Sequence, residues 1–200
     1  MIVENNIVTL VGTIESEFEY SHKTYREKFY KFFVSIKRLS GVEDFVPVIV
    51  SDKMIDINGN YKGQSMRIDG EFRSYRNESG LQNYVYANEI IISDLAKPDF
   101  NLVILDGYLC APPRNRVTKH KKNKITDLFI AVNRPYGKSD YIPCICWNVN
   151  ADLTKDFMVG DHVQGYGRIQ SRKFLKGDFI KNIYEISISE IERVKDEGKN

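Results

Sequence analysis

Apolar and polar residues alternate with a period of two in many short segments of this chain. Segments such as Asn6–Ile14 (NIVTLVGTI) and Leu128–Arg134 (LFIAVNR) are rich in β-branched and aromatic residues, and clusters of Gly, Asn, Asp and Ser separate them. This pattern predicts short β-strands joined by turns. No long segment has the period of a helix, although a polar stretch such as Asn150–Phe157 could form a short one. The chain is therefore predicted to be all-β.

The chain also contains an internal repeat. Four segments of the first half recur in the same order, at a nearly constant offset, in the second half. Asn6–Ile14 matches Asn101–Leu109, Phe32–Arg38 matches Leu128–Arg134, Asp44–Val50 matches Asp140–Cys146, and Gly63–Ser74 matches Gly160–Ser171. Such an ordered set indicates duplication. We predict two modules, residues 1–97 and 98–194, and a short polar tail at 195–200; Pro98 interrupts the strand pattern at the boundary.

Each copy has the strand pattern of an OB-fold, a five-stranded Greek-key barrel. Its first strand carries an internal glycine, Gly12 or Gly107, which is typical of a bulge or sharp bend at a barrel corner. A short helix is expected between strands three and four of each copy. Loops are expected between strands four and five, at Tyr75–Leu81 and Arg172–Lys181. A β-sandwich is the competing architecture.

Charge is unevenly shared between the two copies. The formal net charge is +2. Residues 1–98 hold 12 Lys/Arg against 14 Asp/Glu, and residues 99–200 hold 17 against 13, so the halves carry −2 and +4. The basic second half is a weak indication of a polyanionic partner.

The sequence offers little chemistry for catalysis or metal binding. Cys110, Cys144 and Cys146 have no CxxC spacing, and the three histidines are scattered. No glycine-rich phosphate loop and no hydrolase motif is visible. We expect a non-enzymatic protein without cofactor or metal; an OB-module nuclease, with Asp44 and Asp140 meeting in space, is a remote alternative. Reduced cysteines and the absence of a signal peptide or membrane span predict a cytoplasmic location.

Several segments of the second copy form an ordered set that covers nearly all of residues 100–194. They are Asn101–Gly107 (NLVILDG), Phe129–Arg134 (FIAVNR), Asp140–Asn148 (DYIPCICWN) with Ala151, Gly160–Val163 (GDHV), Gly167–Phe174 (GRIQSRKF) and Tyr184–Glu185. In this order they resemble the DNA-binding core of bacterial single-stranded DNA-binding proteins. The first copy resembles the same core more distantly.

The resemblance implies a set of stacking aromatics. In that family the bases of single-stranded DNA stack on a few aromatic positions of the barrel, and the matching positions are Tyr136, Tyr141, Trp147 and Phe174. Strand alternation independently puts Tyr141 and Trp147 on one face and the apolar residues between them on the other. Stacking tolerates any base and contributes roughly 1–3 kcal/mol per base.

Phosphate groups require cations beside these aromatics. Candidates in the loop predicted between strands one and two are Arg114, Arg116, Lys119, Lys121, Lys122 and Lys124. Arg134 closes strand two, and the predicted loop between strands four and five supplies Arg172, Lys173 and Lys176. These loops flank the ligand-binding face of an OB-fold, so DNA affinity should depend strongly on salt.

The first copy departs from this pattern. Ser40, Ser51 and Asn77 stand where the second copy has Tyr136, Trp147 and Phe174, and only Phe45 keeps an aromatic side chain. Its weaker candidates are Phe45, Tyr75, Arg38, Arg73 and Arg76. The first copy either binds DNA more weakly than the second or serves as an assembly module.

The function predicted from this resemblance is sequence-tolerant binding of single-stranded DNA in replication, recombination or repair. The family commonly assembles four OB-folds, which implies a homodimer of this chain. We expect no partner recruitment through an acidic C-terminal tail, because the chain ends in ERVKDEGKN. The alternatives are a primosomal replication accessory protein that acts mainly through protein contacts, and an RNA-binding OB protein.

Overall fold

Alternation of apolar and polar side chains determines where the strands form, because one set can be buried while the other faces outward. Strand Asn6–Ile14 shows this clearly, with every second side chain buried. The computed structural model describes residues 5–78, 80–93, 97–119, 122–176 and 179–195, with the backbone alone described at 174–176 and 179–181.

The first copy forms a closed barrel of five strands with one additional hairpin strand. Its strands are β1 (Asn6–Ile14), β2 (Glu19–Thr24), β3 (Glu27–Lys37), β4 (Glu43–Ser51), β5 (Ser65–Asn77) and β6 (Gly80–Ser93). Strand β1 pairs antiparallel with β3 and β5, β3 pairs antiparallel with β4, and β5 with β6. The parallel pairing of β4 with β6 closes the circuit. Among the strands of the described residues, β2 pairs with β3 alone.

The second copy repeats this circuit. Its elements are β7 (Phe100–Leu109), β8 (Arg114–Val117), β9 (Lys124–Arg134), β10 (Lys138–Trp147), α1 (Val149–Thr154), β11 (His162–Lys176) and β12 (Phe179–Arg193). Strand β7 pairs with β9 and β11, β9 with β10, and β10 runs parallel to β12. The pairing of β11 with β12 completes the barrel. The prediction of an all-β chain with two OB-type barrels is confirmed.

Each barrel has its own apolar core. In the first, Leu10, Phe32, Ile68 and Phe72 are fully buried. In the second, Leu109, Ile130, Ile142 and Ile186 are buried to nearly the same degree. These side chains come from alternate positions of different strands, as a filled small barrel requires.

Three details of the sequence prediction were wrong. Among the described residues the helix is present in the second copy only, whereas the corresponding stretch of the first, residues 52–64, contains turns. The loop predicted at Tyr75–Leu81 is a hairpin whose strands reach Asn77 and restart at Gly80. In the second copy the predicted loops contain strand β8 and the extended ends of β11 and β12. Strand β8 and the last three residues of β5 are exposed on both faces, so they lack the alternation that identifies a half-buried strand.

Two glycines allow a close approach of strands at the barrel corners. A Cβ atom at Gly107 would lie 2.5 Å from the carbonyl oxygen of Ala131, and one at Gly12 would clash with the carbonyl oxygen of Ser35. Both glycines lie on the first strand of their barrel, which pairs with the strand that carries the obstructing oxygen. The prediction that these positions are barrel corners is consistent with this contact.

Substitution of Gly107 by Ala should therefore destabilise the second barrel. Because the obstructing atom is a backbone oxygen, strands β7 and β9 must separate, and we expect Gly107→Ala to lower the free energy of unfolding by about 1–3 kcal/mol. Urea unfolding followed by circular dichroism measures this. Gly12→Ala should have a similar effect on the first barrel; unchanged unfolding curves for both variants would contradict the close approach.

The chain divides into two compact units that differ from the two halves of the repeat. The first-module unit consists of residues 7–102 and 169–184, and the second-module unit consists of residues 103–168 with the described parts of 1–6 and 185–200. Within the first-module unit, the backbone N–H of Ser171 donates to Oδ1 of Asp44 at 2.7 Å. The backbone N–H of Phe45 donates to Oγ of Ser171 at 3.1 Å. The repeat boundary near residue 98 remains a prediction.

No helix among the described residues is long and apolar enough to span a membrane.

Candidate nucleic-acid interface

The outer face of β9 and β10 carries exposed aromatic side chains. In β10 the side chains of Ile142, Cys144 and Cys146 are buried in the barrel, so Tyr141 and Trp147 point outward. Tyr141 is 45% exposed and Trp147 is half-buried. The sequence prediction that these two residues share a face agrees with this geometry.

Phe129 is a part of this surface that the sequence prediction missed. It lies on β9 opposite Pro143, and its ring is stacked against Tyr141 with centroids 6.1 Å apart and planes 23° from parallel. The alternation of outward Phe129 with inward Leu128 and Ile130 was the signal that could have identified it. The two rings together form a wider apolar platform than Tyr141 alone.

Tyr136 extends from the turn that joins β9 to β10. A short 3₁₀ turn at Pro135–Gly137 makes this connection, and Tyr136 adopts a positive φ of 65° within it. The side chain is 98% exposed. An aromatic ring held in solvent on a left-handed residue has no packing role here, which supports the predicted contact with a ligand.

A second ring pair adjoins this platform on β7. The register places Tyr108 opposite Ala131, and Ala131 in turn opposite Tyr141. Tyr108 is 42% exposed and stacks on His162 with centroids 4.7 Å apart. His162 Nε2 lies 2.6 Å from Oδ1 of Asp106. This pair was also missed, because no single motif contains its members.

The predicted cations near β8 divide into two groups. Two are engaged: Arg116 makes two hydrogen bonds to Asp127 at 2.7 and 2.9 Å, and Lys124 Nζ contacts both carboxylate oxygens of Asp152 at 2.8 and 2.7 Å. The hydrogen bonds from Arg116 to Asp127 raise the pKa of Arg116 above its usual value.

The other group is exposed. Arg114, Lys119 and Lys122 make no ion pair within the described part of the chain. They are therefore free to contact phosphates. Lys121 lies outside the described residues.

Arg134 and Arg38 have structural partners that the sequence prediction did not assign. Arg134 Nε lies 3.1 Å from Oδ2 of Asp140, a carboxylate with no exposed surface. In the first copy, Arg38 donates two hydrogen bonds of 2.6 Å to Asp44, which is equally buried. Each pair joins the end of one strand to the start of the next, so both arginines are already engaged with a buried carboxylate.

The remaining second-copy candidates lie on β11. Arg172 and Lys173 are exposed and belong to the first-module unit rather than to the unit that contains Tyr141. The side chains of Phe174 and Lys176 lie outside the described residues.

Some of the candidate DNA-contact side chains of the first copy are exposed. Phe45 is 44% and Tyr75 49% exposed, and Arg76 is exposed on the same hairpin. Arg73 is engaged, since it contacts Glu71 at 2.8 Å and lies over the ring of Tyr86 at 4.2 Å.

The cysteines have the environment of buried hydrophobes. Burial raises the pKa of Cys146 to about 12, raises that of Cys144 well above its usual value, and raises that of half-buried Cys110. The thiols are therefore protonated and poor ligands or nucleophiles at neutral pH. No group of three or more metal-binding side chains occurs among the described residues.

Comparison with known proteins finds a family match in the second copy. Residues 100–194 match the model of the single-strand binding protein family. This part of the chain is similar to that family. The match covers the same span as the resemblance seen in the sequence, and it confirms that resemblance. No curated protein sequence matches the chain significantly.

Solved structures extend the comparison of fold beyond the family module. The single-stranded DNA binding protein from Thermus aquaticus matches in its wild-type form with a TM-score of 0.77 and 19% identity, over 98% of this chain and 95% of that one. A deletion mutant of the same protein matches with a TM-score of 0.79 and 19% identity, over 97% and 96%. At this identity the comparison establishes the fold of the whole chain.

A third structure is shorter. The N-terminal domain of PriB protein from Thermoanaerobacter tencongensis is 37% identical over 45% of this chain and 98% of its own, with a TM-score of 0.41. A TM-score this low does not establish a common fold.

Proposed function

We propose that this chain binds single-stranded DNA with little sequence preference. The observation that carries this proposal is the exposed aromatic surface of the second barrel, formed by Tyr136, Tyr141, Phe129 and Trp147. It occupies strands two and three of an OB-type barrel, which is the ligand-binding face of that fold. Because every base has a π-face, such a surface binds a strand without reading its sequence.

Charge supports the same proposal. Arg114, Lys119 and Lys122 are exposed beside β9 and make no ion pair within the described residues. They provide phosphate contacts at the edge of the aromatic surface. The family that residues 100–194 match, and the name of the Thermus aquaticus single-stranded DNA binding protein, point to the same ligand.

The decisive measurement is titration of the full chain with dT oligomers, followed by tryptophan fluorescence. Trp147 is the single tryptophan and lies at one end of the proposed surface. We expect saturable quenching as bases stack. The logarithm of the binding constant should fall linearly with the logarithm of salt concentration, with a slope of about −0.7 for each phosphate contacted.

Duplex DNA and rU oligomers of the same length are the controls. Duplex DNA should bind much more weakly, because its bases are not available for stacking. Equal or tighter binding of rU would favour the RNA-binding alternative. An absence of any binding at low salt would refute the proposal and favour a protein that acts mainly through protein contacts.

Other parts of the proposed function rest on the sequence and on its resemblance to the family. These are a non-enzymatic role in replication, recombination or repair, assembly as a homodimer that brings four barrels together, and a cytoplasmic location. The division into modules at residues 1–97 and 98–194 belongs with them, as does the assignment of individual residues to DNA contact.

A further inference from the structure

The first-module unit contains a pocket of about 360 Å³ on the outer face of β3 and β4. Its floor is formed by Pro47 and Ile49, which point away from the barrel core and are nevertheless buried. Residues of β2, the β5–β6 hairpin and Tyr184 of β12 surround this floor. Tyr184 belongs to the same compact unit. The face that is an open aromatic platform in the second barrel is thus a pocket here.

The walls of this pocket are rich in tyrosine. Tyr75, Tyr84 and Tyr184 all line it, and the rings of Tyr75 and Tyr84 meet edge to face with centroids 5.6 Å apart. An apolar floor bounded by aromatic rings suits a flat, unsaturated ligand.

The polar groups of the pocket indicate which further chemical groups its ligand should carry. Lys31 lines it and makes no ion pair within the described residues. Gln82 lies opposite Tyr75 in the hairpin register, and its side-chain amide makes no hydrogen bond within the same described residues. The amide can pair with the donor and acceptor edge of a heterocycle, and the ammonium group can bind an anion. A nucleotide combines a flat heterocycle with an anionic phosphate.

We propose that this pocket takes one nucleotide of a bound single strand of DNA, with its base against Tyr75 and its phosphate at Lys31. This inference rests on the proposed function. It gives the first copy a DNA contact even though Ser40, Ser51 and Asn77 replace three of the aromatics used in the second copy. The first copy contributes to binding by holding a base within a pocket, whereas the second stacks bases on an open surface.

The test compares the full chain with the double variant Lys31→Gln/Tyr75→Ala, using dT oligomers of two lengths. An oligomer of about 10 nucleotides spans one OB module, and one of about 30 can reach both. We expect the variant to bind the long oligomer about 5- to 150-fold more weakly, which is the loss of one stacked base. Its salt slope should decrease by about 0.7 through the loss of one phosphate contact.

A matched control is Lys23→Gln/Tyr25→Ala, which removes the same residue types from the exposed hairpin of β2, outside the pocket. It should bind both oligomers nearly as the wild type does. Tyr75→Phe should keep most of the affinity, because it keeps the ring. Thermal unfolding of each variant shows whether the fold is intact, and Gln82→Ala replaces the double variant if that one unfolds.

The outcomes separate the two proposals. If the wild type binds no oligomer, the proposed function fails. If the wild type binds both oligomers and the pocket variants match it in affinity and salt slope, the pocket inference is overturned and the function stands. A further titration uses the free nucleotide dTMP. The pocket would be a mononucleotide site if dTMP binding is saturable and the double variant abolishes it, while the affinity of that variant for the long oligomer is unchanged. This result would overturn the proposed contact with a DNA strand.

Discussion

Replacement of Arg134 by Met is expected to destabilise the second barrel by about 3 kcal/mol, because it leaves the carboxylate of Asp140 buried without its arginine. Asp140 has no exposed surface, and Arg134 is its ion-pair partner at 3.1 Å. For a chain of this size, the midpoint of thermal unfolding should fall by roughly 6–12 °C. Circular dichroism at increasing temperature measures the shift.

Arg116→Met in the same barrel is the matched control. Arg116 also binds a carboxylate through two hydrogen bonds, but the side chains of Arg116 and Asp127 are 40% and 32% exposed. Removal of an exposed pair is worth at most about 1 kcal/mol, so the midpoint should move by a few degrees at most. Equal shifts for the two variants would show that burial of Asp140 does not determine the effect.

The Arg134→Met variant also tests whether Arg134 contacts DNA. If Arg134 were a phosphate ligand, as the sequence suggested, Arg134→Met would lower the salt slope and leave stability unchanged. The structure predicts the opposite result, with a loss of stability and an unchanged slope.

The barrels were predictable because of two strong sequence signals. Alternation marks segments such as Asn6–Ile14, whose inward side chains are buried one after another. The repeat then shows that both halves follow one plan. Neither signal predicts the strands at hairpin ends such as Arg114–Val117, where all four side chains are exposed. A strand that is exposed to solvent on both faces buries no apolar side chains, so the hydrophobic pattern of the sequence cannot identify it.

The candidate site was predictable to a smaller extent. Exposure of Tyr136 and Tyr141 agrees with the resemblance, since a barrel needs neither ring for its core. The cations were harder, because an arginine that faces a phosphate and one that pairs with a buried carboxylate look alike in one sequence. The repeat did contain a signal: Arg38 with Asp44 and Arg134 with Asp140 keep the same spacing in both copies.

The exposed aromatic surface of the second barrel should contribute most of the DNA affinity if the proposed function is correct. We expect the double variant Tyr136→Ala/Tyr141→Ala to bind dT oligomers at least about 30-fold more weakly, because each lost stack removes roughly 1–3 kcal/mol. Both side chains are largely or half exposed, so the fold should be retained. Fluorescence anisotropy with a labelled oligomer measures the affinity, and thermal unfolding verifies that the barrel is intact.

Two controls separate stacking from a general loss of aromatic surface. Tyr141→Phe keeps the ring beside Phe129 and should bind DNA nearly as the wild type does, because stacking requires no hydroxyl group. Tyr166→Ala removes a tyrosine of similar exposure, 39%, from β11 of the same barrel and should leave affinity unchanged. If Tyr166→Ala weakened binding as much as the double variant, the strand would contact the other side of the barrel, and the assignment of β9 and β10 as the stacking surface would be wrong.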